Sequence, residues 1–330
     1  MLPAAALFLT FLFAQDSAPV IIDTDAGVDD YMAIAFLLSR NDVRIESVCV
    51  VNGLAHVDAG ARNVARLLTL GGQGDIPVYI GRPDPMSGNA AFPDEWRRTS
   101  DQLPGVELPA PKRQPEHTRA AEYLARRLED RQHPARILAL GPLTNLAEAL
   151  QRSPAVARNI TEIVMMGGAV HARGNLDDGG YFKTGNTTAE WNFFLDPGAA
   201  RIVFAAGIPI RLIPLDATSK VPIDSRFLDE LQLSARTRLA RFVAQVLESE
   251  RELIKQGFYY AWDPLAAVAL VDRGAVSFQA LHLEIQQDAH QAGRTAPTAG
   301  KPNADVALDA DARRFRAAFL GSLQASGSRN

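Results

Sequence analysis

Four carboxylates fall within eight residues near the start of the chain, in the segment DTDAGVDD (23–30). Asp29 and Asp30 also open a predicted helix, whose dipole stabilises negative charge, so a capped helix with solvated acids would explain one or two of them. Four together repel one another unless a cation lies among them. Oxygen ligands favour a hard cation, Ca²⁺ or Mg²⁺, and the twelfth position lacks the glutamate of an EF-hand. The segment therefore predicts a metal site.

Two metal-dependent chemistries begin with such a cluster at the end of a strand. A phosphotransferase with an aspartyl nucleophile shares the Asp-x-Asp start, but it needs a later lysine and a second acidic pair, and no lysine follows a strand convincingly here. A hydrolase instead uses the cation to lower the pKa of a water molecule that attacks an electrophilic carbon. The sequence favours the hydrolase.

The composition narrows the class of protein further. The 330 residues are 47% hydrophobic and 22% charged, which is typical of a folded protein rather than a disordered one. The net charge of −4 implies no overall attraction to nucleic acid. A single cysteine excludes an intramolecular disulfide and a thiolate metal cluster, and no histidine pair has the spacing of a helix-borne zinc site.

An alternation of short apolar runs with helical stretches predicts the elements that position the acidic segment. Because hairpin signals are missing, it predicts an α/β fold: a single large domain with a mixed, mainly parallel sheet and helices on both faces. Ligands bind beyond the carboxyl ends of strands in such sheets. The predicted strands are 19–23, 44–51, 76–81, 136–141, 162–168, 208–216 and 280–286, and the predicted helices are 29–40, 61–70, 120–130, 144–153, 197–207, 235–257 and 311–323.

Two segments interrupt the alternation, and both follow strands. Residues 82–115 carry seven prolines and Trp96, and a loop of that length is typically functional or disordered. Residues 167–189 are rich in glycine and contain two Gly-Asn pairs, which predicts a loop whose backbone approaches a ligand. We expect residues 82–115 to cover the ligand-binding crevice after the third strand. The alternative is a surface loop with no role in binding.

The acidic segment and five later motifs resemble the nucleoside hydrolase (inosine–uridine preferring) family. The resemblance extends from about residue 19 to residue 320, and the order of the motifs is more specific than any one of them. The later motifs, in family order, are GPLTN (141–145), MGG (166–168), AEWN (189–192), DP (196–197) and DP (263–264).

The resemblance implies Ca²⁺-dependent hydrolysis of an N-ribosidic bond. It assigns carboxylate ligands of Ca²⁺ to Asp25, Asp30 and Asp263 and a carbonyl ligand to Thr144, and Asp25 also takes the proton from the attacking water. Ribose hydroxyls held by carboxylates and a hard cation suit an oxocarbenium-like transition state. Two of the residues in these motifs also have a purely structural interpretation: Thr144 is a candidate N-cap of a helix, and a methionine such as Met166 more often packs in the core. The implied sugar-site residues are Asp29, Met166, Glu190 and Asn192.

The chain departs from the family pattern after the second strand. Members usually have Gly-Asn there, whereas this chain has Gly53 followed by Leu54. Asn52 would point to the opposite face if the strand continues, so the ribose contact is lost or supplied elsewhere, with His56 as a candidate. The Gly-Asn that often contacts the sugar 5′-hydroxyl occurs twice. Counting from 167–168 favours Asn175 and counting back from Glu190 favours Asn186; we expect Asn175.

A second departure concerns the leaving base. Many members have a histidine before the last metal aspartate, but this chain has Trp262, and an indole cannot act as an acid near neutral pH. A tryptophan at that position resembles the purine-preferring branch, in which stacking raises the basicity of N7. We expect purine nucleosides to be preferred, with Trp96 on the opposing face of the base and Trp191 as the fallback; core packing of Trp262 is the alternative.

The first 18 residues are a predicted signal peptide, because an uncharged apolar run extends to Ala14, is too short for a membrane anchor, and has Ala14 or Ala18 as its cleavage position. No positive residue precedes the run, so a buried first element or a misassigned start is the alternative. The expected protein is periplasmic or secreted, with a catalytic domain at 19–325, a nucleoside as its partner, no nucleic acid and no stable membrane span. The resemblance makes a homo-oligomer plausible. A non-catalytic Ca²⁺ and ribosyl-binding protein is the competing function, motivated by Leu54.

Overall fold

The structure is a computed structural model that describes residues 18–87, 91–130, 132–177, 184–288 and 290–325. The predicted signal segment lies outside the described residues except for Ala18, and so does part of each of the two predicted loops.

The described strands form one sheet of ten in the order β4-β3-β2-β1-β5-β6-β7-β10-β8-β9. All neighbouring pairs from β4 to β10 are parallel, while β8 runs antiparallel to both β10 and β9. The predicted mixed, mainly parallel sheet is confirmed. The strands are β1 (Val20–Thr24), β2 (Ile45–Val50), β3 (Val78–Ile80), β4 (Glu116–Arg119), β5 (Ala135–Ala139), β6 (Ile160–Met166), β7 (Ile210–Ile213), β8 (Val276–Ile285), β9 (Thr295–Thr298) and β10 (Ala304–Ala310).

Helices cover both faces of the sheet, because successive buried side chains of a strand point to opposite sides. In β1, Val20 and Ile22 join one apolar core and Ile21 joins the other. The first core includes α1, α2, α10, α12 and α13, and the second includes α4, α5 and α7. The helices are α1 (Val28–Leu38), α2 (Val57–Leu70), α3 (Asp94–Gln102), α4 (Ala120–Arg127), α5 (Thr144–Arg152), α6 (Trp191–Leu195), α7 (Pro197–Ala205), α8 (Leu215–Thr218), α9 (Ser225–Ser234), α10 (Arg238–Ser249), α11 (Arg251–Lys255), α12 (Trp262–Val271) and α13 (Ala312–Gln324).

Three predicted elements need correction. The segment 82–115 is not loop throughout, because α3 begins directly after Pro93. The predicted helix 235–257 divides into α10 and α11 at Glu250, which ends one helix and precedes the other. The strand predicted at 280–286 begins earlier, at Val276, and it forms an antiparallel pair with β9 that no turn signal indicated.

The topology brings the predicted site residues to one edge of the sheet. The segment 23–30, the turn after β2 and the starts of α5 and α6 follow the carboxyl ends of parallel strands or the loops beyond them, which is where open α/β sheets bind ligands. Within the described part of the chain, no helix combines the length and apolar character needed to cross a bilayer.

Candidate functional site

The turn between β1 and α1 folds around the carboxylate of Asp30. The Gly27 N–H donates to Asp30 Oδ2 at 3.0 Å, and the Thr24 hydroxyl donates to Asp30 Oδ1. Ala26, between them, has a φ of 59° and its N–H donates to the Thr24 hydroxyl oxygen. The turn therefore fixes Asp30 at the N-terminus of α1, where the dipole favours a negative charge.

A second segment, the start of α12, brings Asp263 to this turn. Oxygen atoms of Asp29, Asp30 and Asp263 all lie within 4.8 Å of one another. Asp25 belongs to the same group, since the charges of Asp25 and Asp30 repel each other and Asp25 also acts on Asp263. We call these four aspartates the acidic cluster. The structure thus unites three predicted metal ligands with Asp29, which the resemblance assigned to the ribose.

Burial and mutual repulsion disfavour ionisation throughout the acidic cluster. Burial, and then the charge of Asp25, raises the pKa of Asp29 to about 7. Burial, and then Asp29, raises the pKa of Asp30 to about 6. The pKa values of Asp25 and Asp263 are raised well above the usual range by burial first and by Asp30 second. A bound cation would reverse each of these shifts.

The acidic cluster fits a hard cation. None of the ion pairs formed between described residues involves its carboxylates, so no basic side chain offsets their charge. Asp263 Oδ1 is buried and has no hydrogen-bond partner among the described residues. An unpartnered carboxylate oxygen in a buried all-oxygen donor set is what Ca²⁺ or Mg²⁺ requires.

Two further turns approach Asp25 closely. The Leu54 N–H donates to Asp25 Oδ2 at 2.8 Å. A Cβ atom added at Gly53 would lie 2.1 Å from Asp25 Oδ2, and one added at Gly141 would lie 2.8 Å from Asp25 Cβ. Both positions therefore require glycine so that the backbone can reach the carboxylate.

Four further predicted site residues lie at the end of β6 and at the starts of α5 and α6: Thr144, Met166, Glu190 and Asn192. The Thr144 hydroxyl donates to Asp196 at 2.6 Å; Thr144 opens α5 as its first residue, with Leu143 at the N-cap. Asn192 Nδ2 donates to the carbonyl of Met166 at 3.3 Å. Glu190 caps α6 by accepting the Asn192 N–H at 2.9 Å, and burial raises its pKa to about 7.

The two Gly-Asn asparagines have different surroundings. Asn186 is buried; its amide donates to the Ala292 carbonyl and its oxygen accepts the N–H groups of Thr188 and Ala189. Asn175 is only partly buried, and its oxygen accepts the Trp191 N–H at 3.2 Å. Asn186 therefore holds a loop together, while Asn175 stays beside α6.

The aromatic residues form two groups. Trp262 is partly buried and meets Tyr259 at 5.1 Å and Tyr260 at 5.9 Å between ring centroids, both nearly edge to face. Trp96 and Trp191 instead pack in a separate apolar cluster around Phe92, together with Leu54. The Leu54 side chain thus packs in the cluster around Phe92, while its N–H donates to Asp25. The His56 imidazole pairs with Asp101 of α3, with 2.6 Å between the ring nitrogen and the carboxylate oxygen.

Comparisons with known proteins agree with this geometry. The sequence profile of the inosine-uridine preferring nucleoside hydrolase family matches residues 20–317. The chain belongs to the nucleoside hydrolase family. It is 32% identical over 310 residues to the pyrimidine-specific ribonucleoside hydrolase RihA of Citrobacter koseri, covering 90% of this chain and 95% of RihA. It is 32% identical over 256 residues to uridine nucleosidase 1 of Arabidopsis thaliana, covering 76% of this chain and 73% of that protein.

Solved structures share the fold of this nucleoside hydrolase. The plant nucleoside hydrolase PpNRh1 superposes with a TM-score of 0.82 at 27% identity, covering 93% of this chain and 99% of that one. An inosine-uridine preferring nucleoside hydrolase from Bacillus anthracis gives the same TM-score at 26% identity with the same coverage. The predicted family and fold are confirmed.

Several residues of the site were missed from the sequence. Asp23 is buried beside the acidic cluster, accepts from Asn145 Nδ2 at 2.8 Å, and has a pKa raised by burial to about 7. Tyr259 is buried with its hydroxyl unpartnered among the described residues, and burial, followed by Asp29, raises its pKa. Asp23 lies in the acidic segment and Asn145 in the GPLTN motif, although neither was assigned to the site, whereas Tyr259 carries no signal of its own in a single sequence. Arg97, which donates to Asn52 at 3.0 Å, carried none either.

Proposed function

We propose that the protein is a Ca²⁺-dependent hydrolase of the N-glycosidic bond of ribonucleosides, releasing ribose and the free base. The observation that carries this proposal is the acidic cluster: four carboxylates, at least three of them deeply buried, with no basic partner among the described residues. Membership of the nucleoside hydrolase family and the names of the relatives support the reaction.

The ligands of the cation are Asp25, Asp30, Asp263 and the carbonyl of Thr144. A bound Ca²⁺ supplies Lewis-acid charge that favours deprotonation of a water molecule beside it. Asp25 would accept that proton, because its carboxylate is part of the acidic cluster and the Leu54 N–H holds one of its oxygens in place. Release of the base leaves positive charge on the ribose, which buried carboxylates stabilise.

The ribose is oriented by hydroxyl contacts from the residues around α6 and the start of α1. Asp29 is adjacent to Asp30 and is only partly buried, so its carboxylate can reach a ligand. The side chains of Glu190 and Asn192 are fixed by backbone contacts, which preorganises them. Met166 lines the sugar, and Asn175 contacts the 5′-hydroxyl.

A reducing-sugar assay on inosine, adenosine, guanosine, uridine and cytidine tests this reaction directly, with Ca²⁺ added to one series and a chelator to the other. We expect release of ribose with Ca²⁺ and none after chelation. If ribose or a nucleoside binds in the presence of Ca²⁺ but no substrate is cleaved, the non-catalytic ribosyl-binding function is correct instead.

We propose that purine nucleosides are preferred, because Trp262 offers an indole face next to Asp263. Stacking contributes about 1–3 kcal/mol per base in nucleic-acid binders, which corresponds to roughly a tenfold to hundredfold preference.

The second candidate is a pyrimidine preference, favoured by the relatives named for uridine and for pyrimidine nucleosides. If purine nucleosides are preferred, Trp262→Ala should lower kcat/KM for inosine more than for uridine. Equal kcat/KM for both nucleosides in the wild type would refute the preference.

We propose further that residues 1–18 direct export to the periplasm or the medium. The support is an uncharged apolar run with alanines at plausible cleavage positions. The N-terminal sequence of the protein recovered from cells tests this, because export predicts that the protein begins near residue 15 or 19. Size-exclusion chromatography with light scattering tests the expected homo-oligomer.

A further inference from the structure

Helix α3 is attached at two points to the connection between β2 and α2 and at a third point to α2 itself. Arg97 Nη2 donates to Asn52 Oδ1 at 3.0 Å. The Asp101 carboxylate accepts the His56 N–H at 2.8 Å and lies 2.6 Å from the His56 ring nitrogen. Asn63 Nδ2 donates to the Asp101 carbonyl at 2.9 Å. Hydrogen bonds from the middle of the helix, at Arg97, and from its C-terminal end, at Asp101, therefore hold it against that connection.

The same connection forms one wall of the Asp25 environment. Besides the bond from the Leu54 N–H to Asp25 Oδ2, the Ala55 N–H donates to the Asp25 carbonyl at 2.9 Å. Gly53 is so close that a methyl group there would overlap Asp25 Oδ2. A small shift of residues 52–55 would therefore displace the carboxylate, because the contacts leave no free space between them.

Asn52 is the residue through which α3 reaches this wall. Its side chain is buried, with 4% of the residue exposed, and it directly precedes Gly53. A buried amide oxygen needs a donor, and Arg97 supplies one from 45 residues along the chain. If that donor is removed, the amide has to seek water or another partner, and the turn that carries it moves as well.

We infer that Arg97 is a positioning residue that holds Asp25 in its reactive orientation through Asn52 and the N–H of Leu54. As a step in catalysis, this inference rests on the proposed function. Among the described residues no hydrogen bond or ion pair joins Arg97 to the acidic cluster, so it acts on the cluster through the turn after β2. Helix α3 also contacts α6, because Trp96, which directly precedes Arg97, packs against Trp191 with ring centroids 6.1 Å apart.

The test compares Arg97→Ala and Asn52→Ala with the double variant, and with Arg98→Ala as a matched control, because Arg98 is exposed on the same helix. Site-resolved hydrogen exchange of the Leu54 amide is the first readout, and amides of β1 are the internal reference. We expect faster exchange at Leu54 in Arg97→Ala and Asn52→Ala, no further increase in the double variant, and no change in Arg98→Ala.

Kinetics with the best nucleoside give the second readout. Because the bond orients a reacting group, we expect kcat to fall about tenfold or more with KM little changed in both single variants, and no additional loss in the double variant. If Arg97→Ala lowers global stability, Asn52→Ala breaks the same bond from the other side and carries the test.

Unchanged exchange at Leu54 in both single variants, or additive losses in the double variant, would overturn the inference. The outcome is independent of the proposed function. If the wild type cleaves no nucleoside, the reaction is wrong, while the exchange at Leu54 still decides whether Arg97 holds this turn in place.

Discussion

At the Asp25 carboxylate, three turns of the chain meet: its own, the one that donates the Leu54 N–H and the one whose Gly141 packs against its Cβ atom. None of the ion pairs between described residues includes these carboxylates, so the negative charge of the acidic cluster has no compensation from the described basic side chains. The residues of the site therefore suit cation binding, and their mutual repulsion lowers the stability of the metal-free protein.

Asp263→Asn separates these two effects. The substitution removes a ligand, so we expect kcat to fall by more than about a hundredfold. It also removes one of several buried like charges, so the metal-free variant should unfold at a higher temperature than the metal-free wild type at pH 8. Thermal unfolding in chelator measures this, with Asp229→Asn on the exposed face of α9 as the control. A metal-free variant less stable than the wild type would contradict the prediction.

A metal site at the segment 23–30 could be predicted because residue type and position at a strand end carry the chemistry, whereas Asp263, at the start of α12, was assigned only through the family resemblance. The hydrogen bond between Arg97 and Asn52 could not be predicted, because the two residues are 45 positions apart and neither belongs to a periodic pattern. The placement of Trp96 beside Trp191 depends on how α3 packs. A single sequence does not specify that packing.

At the scale of elements, α12 links the acidic cluster at its N-terminal end to three charged strand residues at its C-terminal end. Its first turn carries Asp263, while the carbonyls of Ala269 and Leu270 near its end accept hydrogen bonds from Arg211 of β7 and Arg136 of β5. Cationic donors at a helix C-terminus satisfy free carbonyls and complement the dipole. Glu162 of β6 pairs with both guanidinium groups, at 2.8 and 2.7 Å.

Glu162 gives a pH dependence whose sign can be worked out. Its partial burial would raise the pKa, but the guanidinium groups of Arg211 and Arg136 together outweigh it and hold the pKa below the usual value. A carboxyl whose pKa is lower in the folded state stabilises the fold above its unfolded pKa of about 4.3, and that stability is lost as the pH falls through the folded pKa.

We therefore expect Glu162→Gln to lower the free energy of unfolding by about 3 kcal/mol near pH 7, because it leaves two largely buried guanidinium groups without their carboxylate. The difference from the wild type should shrink below about pH 4, where the wild-type carboxyl becomes protonated. Urea unfolding at several pH values measures it, with the exposed Glu284→Gln as the control. A difference that is constant with pH would argue against the role assigned to this ion pair.

At the scale of the whole molecule, the alternation of strands and helices was sufficient to predict a mixed, mainly parallel sheet with helices on both faces, because buried parallel strands read as short apolar runs. It did not predict β4, β9 or β10, which lie outside the seven predicted strands. The hairpin of β8 and β9 was missed, since it lacks a two-residue turn signal. The helix break at Glu250 was missed because the apolar spacing continues across it. The resulting topology brings residues 25 and 263 together across most of the chain.

That arrangement predicts opposite effects of pH with and without the cation. In the metal-free protein, burial raises the pKa of Asp23 and Asp29 to about 7 and of Asp30 to about 6. Groups whose pKa is raised by folding stabilise the fold below their unfolded pKa of about 4, and this stability is lost as the pH rises through the folded values. The melting temperature of the metal-free protein should therefore fall between about pH 5 and pH 8.

Ca²⁺ should remove this loss, because it binds the ionised carboxylates and so binds more tightly as the pH rises. At a concentration a hundred times its dissociation constant, a ligand of the native state contributes about 2.7 kcal/mol, which raises the melting temperature by about 5 °C or more. Calorimetry at pH 5.5 and pH 8, in chelator and in excess Ca²⁺, should show a larger increase at pH 8. An increase that is equal at both pH values, or that persists in Asp263→Asn, would mean that Ca²⁺ acts elsewhere on the protein than at the acidic cluster.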